Sequence, residues 1–208
     1  MKTLVTTICA LLISVSFYAQ SNYEKGMQHA FELWGAQKNS DASNLFERIA
    51  KAEKENWLPY YYVALVNTTG TFLQKDRSKV PAQLEKAQEF INLAGTFTEN
   101  NVEIMVVQAL IHTAEMLQDG SKAPTLAPKI EGIYQKALEI APKNPRVVAN
   151  FADWKIGSAR YFKQDVTPYC GALKKALLLF ENDKPLEPFG PTWGKERTLQ
   201  LIKECEQS

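Results

Sequence analysis

The chain has 208 residues, 24 Lys+Arg against 23 Asp+Glu, with 45% hydrophobic and 11% aromatic residues. Near-zero net charge excludes a dedicated nucleic-acid binder, because phosphate contacts need concentrated Lys and Arg, and the apolar fraction excludes a wholly disordered chain. The length suits one domain with a sizeable core and is too short for two ordinary ones.

The first element is an export signal. Lys2 precedes a run of about a dozen mostly apolar residues that ends on the small Ala19, which is the secretory pattern. The run is shorter than the ~20 residues that span a bilayer, so retention as an anchor is the lesser alternative. Cleavage after Ala19 removes Lys2 and Cys9, leaving 23 basic and 23 acidic residues and the pair Cys170 and Cys205. Residues 20–208 then form a single exported domain, periplasmic or extracellular. No further apolar run approaches membrane length, so the mature chain is expected to be soluble.

Helical periodicity follows almost without interruption. Ser21 with Glu24 has the capping-box spacing, and Tyr23, Met27, Ala30, Phe31 and Trp34 form one face. Ala42, Leu45, Phe46, Ile49 and Ala50 mark a second helix. Tyr61, Tyr62, Leu65, Val66 and Leu73 mark a third, opened near Pro59. Val80, Leu84, Ala87, Ile91 and Ala94 give a fourth. Asn100 with Glu103 predicts another capping box, followed by Val102, Val106, Ala109 and Leu117. Leu126, Ile130, Tyr134 and Ala137 form the sixth, and Val148, Phe151, Ala152 and Phe162 the seventh. Thr167-Pro168 opens an eighth helix to about Glu181, carrying Leu173, Ala176 and Phe180. After a loop with three prolines, a ninth spans about Thr192 to Gln207. No sustained alternation compels a strand, so the fold class is all-α.

The helices fall into pairs. The second helix of each pair carries a comparable Ala, at Ala50, Ala94, Ala137 and Ala176, spaced 44, 43 and 39 residues apart. Units of this size cannot bury a hydrophobic face alone, but four stacked ones can, with the ninth helix capping the end.

Within this array, Tyr134-Gln-Lys-Ala137-Leu138-Glu-Ile-Ala-Pro142 is similar to the close of a tetratricopeptide repeat, and Phe151-Ala152 resembles the opening of the next one. The match covers about one repeat, residues 126–160. The resemblance implies a right-handed superhelix of about four helix pairs and a protein-binding role, with a concave groove lined by the first helix of each pair.

Chemistry-bearing patterns are sparse. His29 and His112 are 83 residues apart without clustered partners, so no metal site is expected. Phosphate loops, nucleophile elbows and zinc-protease helices do not occur, and no cofactor is expected. The leading expectation is therefore a non-enzymatic scaffold for a protein or peptide. The alternative is a small-ligand carrier or minor enzyme, with Tyr60–Tyr62 as its pocket. Tyr60 and Asn67 on the third helix, and Arg146 and Asp153 on the seventh, lie off the apolar stripes and are the candidate partner-binding residues.

A disulfide is expected between Cys170 and Cys205. Consecutive helices joined by a short connection lie antiparallel, and these cysteines stand at nearly equal distances from the middle of theirs. Each also sits beside its helix's apolar stripe.

Overall fold

The computed structural model describes residues 22–207. The expected signal segment, its cleavage site and the Ser21 cap lie outside the described residues. Among those described there are nine α-helices and no strand: α1 (residues 22–35), α2 (Asn39–Ala52), α3 (Trp57–Leu73), α4 (Val80–Gly95), α5 (Val102–Gln118), α6 (Ala123–Ile140), α7 (Pro145–Tyr161), α8 (Thr167–Glu181) and α9 (Lys195–Glu206).

Helix starts follow local chemistry. Asn56, Asn101 and Asn144 each turn a side-chain oxygen onto an orphan amide of the first turn, and Pro opens α4, α6, α7 and α8. The cap of α5 is Asn101, one residue later than the Asn100 spacing predicted, because Asn100 takes a left-handed φ of 53°.

One turn recurs between the two helices of a pair. Asp76 accepts hydrogen bonds from the amide and hydroxyl of Ser78, Asp119 from those of Ser121, and Asp165 from those of Thr167. A proline follows each time, at Pro81, Pro124 and Pro168. This Asp-x-Ser/Thr turn holds each carboxyl below its ordinary range, chiefly through the hydroxyl.

Packing makes the pairs a stack. Each helix contacts the next, and the first helices also touch one another, α3 with α5 and α5 with α7. The recurring alanines Ala50, Ala94, Ala137 and Ala176 are all fully buried, which lets neighbouring helices approach closely. The unit exceeds the 34 residues of a tetratricopeptide repeat because its helices run to 14–18 residues and short 3₁₀ turns separate α3 from α4 and α5 from α6. The expected Cys170–Cys205 disulfide is present, with a Cα–Cα distance of 6.1 Å, and ties α9 to α8. Arg197 adds a two-pronged bond from α9 to Asp153 on α7, at 3.0 and 3.1 Å.

Candidate functional site

The face presented by the first helices is covered by the chain itself. Residues 182–194, between α8 and α9, run back across α7, α5, α3 and α1 as a strap. Arg146 donates to Asp183 at 2.6 Å, Trp57 Nε1 to Glu187 at 3.0 Å, Tyr62 Oη to the Phe189 carbonyl at 2.7 Å and Trp193 Nε1 to Tyr61 Oη at 2.7 Å. The Phe189 ring lies edge-on to Tyr23 and stacked on Phe31, held by a left-handed φ of 63°. Trp193, expected to open α9, instead belongs to this strap, and Gly194 at φ 105° starts the helix.

The four candidate partner residues are all engaged within the chain. Tyr60 packs half-buried on Phe90 and Phe97. Asn67 donates to Ser43 Oγ and to the Val63 carbonyl. Arg146 is only 4% exposed, which corrects its placement on a free face. Its guanidinium bridges Glu103 at 2.7 Å and Asp183 at 2.6 Å; burial alone would lower its pKa, but the two carboxylates raise it above the ordinary value. Asp153 carries the α9 contact. Arg146 and Asp153 thus serve two separate joints rather than one surface. Tyr61 and Tyr62 are buried in the core with both hydroxyls bonded to the strap, so neither is an open pocket wall as the alternative reading expected. Burial raises both hydroxyls above the ordinary tyrosine range.

Open space lies elsewhere. A cleft of about 440 Å³ opens between α6, α7 and the start of α8. Pro128 and Glu131 form its α6 wall, Trp154, Lys155 and Ser158 its floor on α7, and Phe162 and Tyr169 its far side. The volume falls within the ~300–1,000 Å³ range of small-molecule sites. A second cavity, beside Asp153 and Arg197, is about 30 Å³ and suits a water.

Within the cleft, Glu131 accepts from Trp154 Nε1 at 3.1 Å and pairs with Lys155 at 2.6 Å, fixing the indole and the ammonium together. Phe162, which lines the cleft, is 67% exposed, and Tyr161, edge-on to it, is 82% exposed. Lys163, the next residue, makes no ion pair among the described residues.

No family model and no curated protein matches the chain. Its fold is similar to that of a solved structure, the HusA haemophore from Porphyromonas gingivalis, with a TM-score of 0.77 and 20% sequence identity. The likeness covers 89% of this chain and 93% of that one, so both share the helical-repeat architecture almost throughout.

From the sequence, Trp154 can either line a ligand pocket or pack between repeats, and Phe162 is only the last apolar residue of its stripe. A sequence signal for that edge exists: apolar pairs Phe72-Leu73, Met116-Leu117 and Tyr161-Phe162 each precede the recurring Asp turn, and Phe162 of the last pair lines the cleft.

Proposed function

We propose that this protein is an exported, non-enzymatic carrier of a tetrapyrrole of the haem class, held in the aromatic cleft between α6, α7 and α8. The observation that carries this reading is the near full-length likeness in fold to a haemophore, supported by the cleft's own chemistry. A planar apolar ligand would cover Phe162 and Tyr161 and stack against Trp154, burying area now in water. The unpaired Lys163 suits its carboxylate edge.

No group of three His, Cys, Asp or Glu suited to a metal ion exists among the described residues. A tetrapyrrole brings four nitrogen donors of its own and needs at most one or two from the protein. The disulfide agrees with an oxidising compartment outside the cytosol. We read the helix pairs as degenerate tetratricopeptide-like units put to carrying a ligand rather than a peptide, since the strap already occupies the face a peptide would take.

Titration of residues 20–208 with haemin tests this. The expected result is a shifted Soret band that saturates near one equivalent, with affinity falling at least ~10-fold in the Tyr161→Ala, Phe162→Ala double variant. A spectrum that remains the sum of free haemin and protein at every ratio would overturn the reading.

A further inference from the structure

We infer that the edge of the stack where α3, α5 and α7 end is a peripheral docking surface for an anionic lipid bilayer. The inference stands on this edge and does not need the carrier reading.

Helices joined by a short turn run antiparallel, so α3, α5 and α7 share one direction and end at the same edge. Their ends lie side by side: α3 touches α5, α5 touches α7, and Gln118 at the end of α5 donates to the Arg77 carbonyl in the turn after α3, at 3.4 Å. Each helix reaches this edge on an apolar pair, Phe72-Leu73, Met116-Leu117 and Tyr161-Phe162. Leu73 is 77% exposed and Leu117 62%. Of the eleven large hydrophobic residues exposed among those described, five belong to these three pairs. Single exposed apolar residues are ordinary surface, but five gathered along one edge are not.

Charge selects the partner. Lys75, Arg77 and Lys79 follow the first pair, Lys122 the second and Lys163 the third, all exposed. Against these five cations the turns hold three carboxylates, Asp76, Asp119 and Asp165, each already accepting from an amide and a hydroxyl of its own turn. Nearby, Glu115 is bonded to His112, and Arg160 to Glu204. The edge is therefore basic in a chain whose charges otherwise nearly balance. Apolar tips beside lysines suit a bilayer surface, where the tips enter the acyl boundary and the ammonium groups stay with anionic headgroups. A protein partner would meet tips separated by polar turns, not the contiguous apolar centre that a stable interface buries. No helix among the described residues is long and apolar enough to cross a membrane, so the contact is peripheral. Phe162 also lines the cleft, which brings the cleft's rim to this edge.

Flotation of ligand-free protein comprising residues 20–208 tests this, with vesicles of phosphatidylcholine alone and of phosphatidylcholine mixed with phosphatidylglycerol. Partitioning should be at least ~10-fold stronger onto the anionic vesicles and should weaken as salt is raised. Leu73→Ser with Leu117→Ser, exposed positions outside the cleft, should cut that partitioning at least ~10-fold. Lys75→Gln with Lys79→Gln and Lys122→Gln should leave equally weak binding to both vesicle types. Wild type that does not distinguish the two vesicles, or a serine variant that floats as wild type does, would overturn the inference. Wild type that floats with neither would overturn it too, and capture of a cell-envelope protein lost in the serine variant would then assign the edge to a protein partner.

Discussion

Arg146→Ala removes a guanidinium that is 4% exposed and joins three parts of the molecule: α5 through Glu103, α7 where it resides, and the strap through Asp183. Its two partners fare differently. Asp183 lies at the strap's edge with 19% of its side chain exposed and can turn toward water. Glu103 has 10% exposed and would retain only the Asn144 amide, at 2.6 Å. The cost therefore comes mainly from stranding the Glu103 carboxylate, and breaking a buried pair on one side costs about 3–5 kcal/mol. Urea unfolding followed by circular dichroism at 222 nm reads this as a lower midpoint with little change in slope. The companion Arg146→Met, Glu103→Leu variant removes both charges and should recover most of the loss, since a well-packed apolar pair often matches a buried ion pair. A single-variant loss below ~1 kcal/mol, or a double variant as unstable as the single one, would refute the view that an uncompensated buried charge sets the cost.

Three further outcomes are expected. Denatured, unreduced protein comprising residues 20–208 should titrate no free thiol, and Cys170→Ser with Cys205→Ser should lose roughly 3–4 kcal/mol, since the bridge closes a loop with a sequence separation of 35; two reactive thiols per chain would contradict this. Phe189→Ala should cost ~1–3 kcal/mol, less than a fully buried ring because Phe189 is half-buried, and should speed amide exchange across residues 182–194; unchanged exchange there would show that the ring does not hold the strap. Asp76, Asp119 and Asp165 have depressed folded pKa values, so their contribution is complete above the ordinary aspartate pKa near ~4 and lost as pH falls through the folded values. The urea midpoint should accordingly be level from pH 7 to 5 and drop below 4, and Ser78→Ala with Ser121→Ala should flatten that drop; an identical acid profile in the variant would sink the assignment.

Much of the fold could be read from the chain because it is written in local periodicity. Apolar residues three and four apart made the helices, prolines and asparagines marked their starts, and the evenly spaced Ala50, Ala94, Ala137 and Ala176 announced the stack. The disulfide was legible for the same reason: two antiparallel helices on a short connection set the heights of Cys170 and Cys205 without help from the rest of the molecule. The strap was not legible. Its anchors, Trp57 with Glu187, Tyr62 with Phe189 and Tyr61 with Trp193, join residues 127 to 132 positions apart, and no local pattern encodes such partners. Nor could periodicity tell that Arg146 faces inward, because a charge off the apolar stripe is buried only when distant carboxylates arrive to meet it. The cleft likewise exists only where α6, α7 and α8 diverge, so Trp154, Phe162 and Tyr169 are brought to one site by tertiary packing, whereas periodicity places Phe162 and Tyr169 simply on apolar stripes and leaves Trp154 with no partner in the sequence.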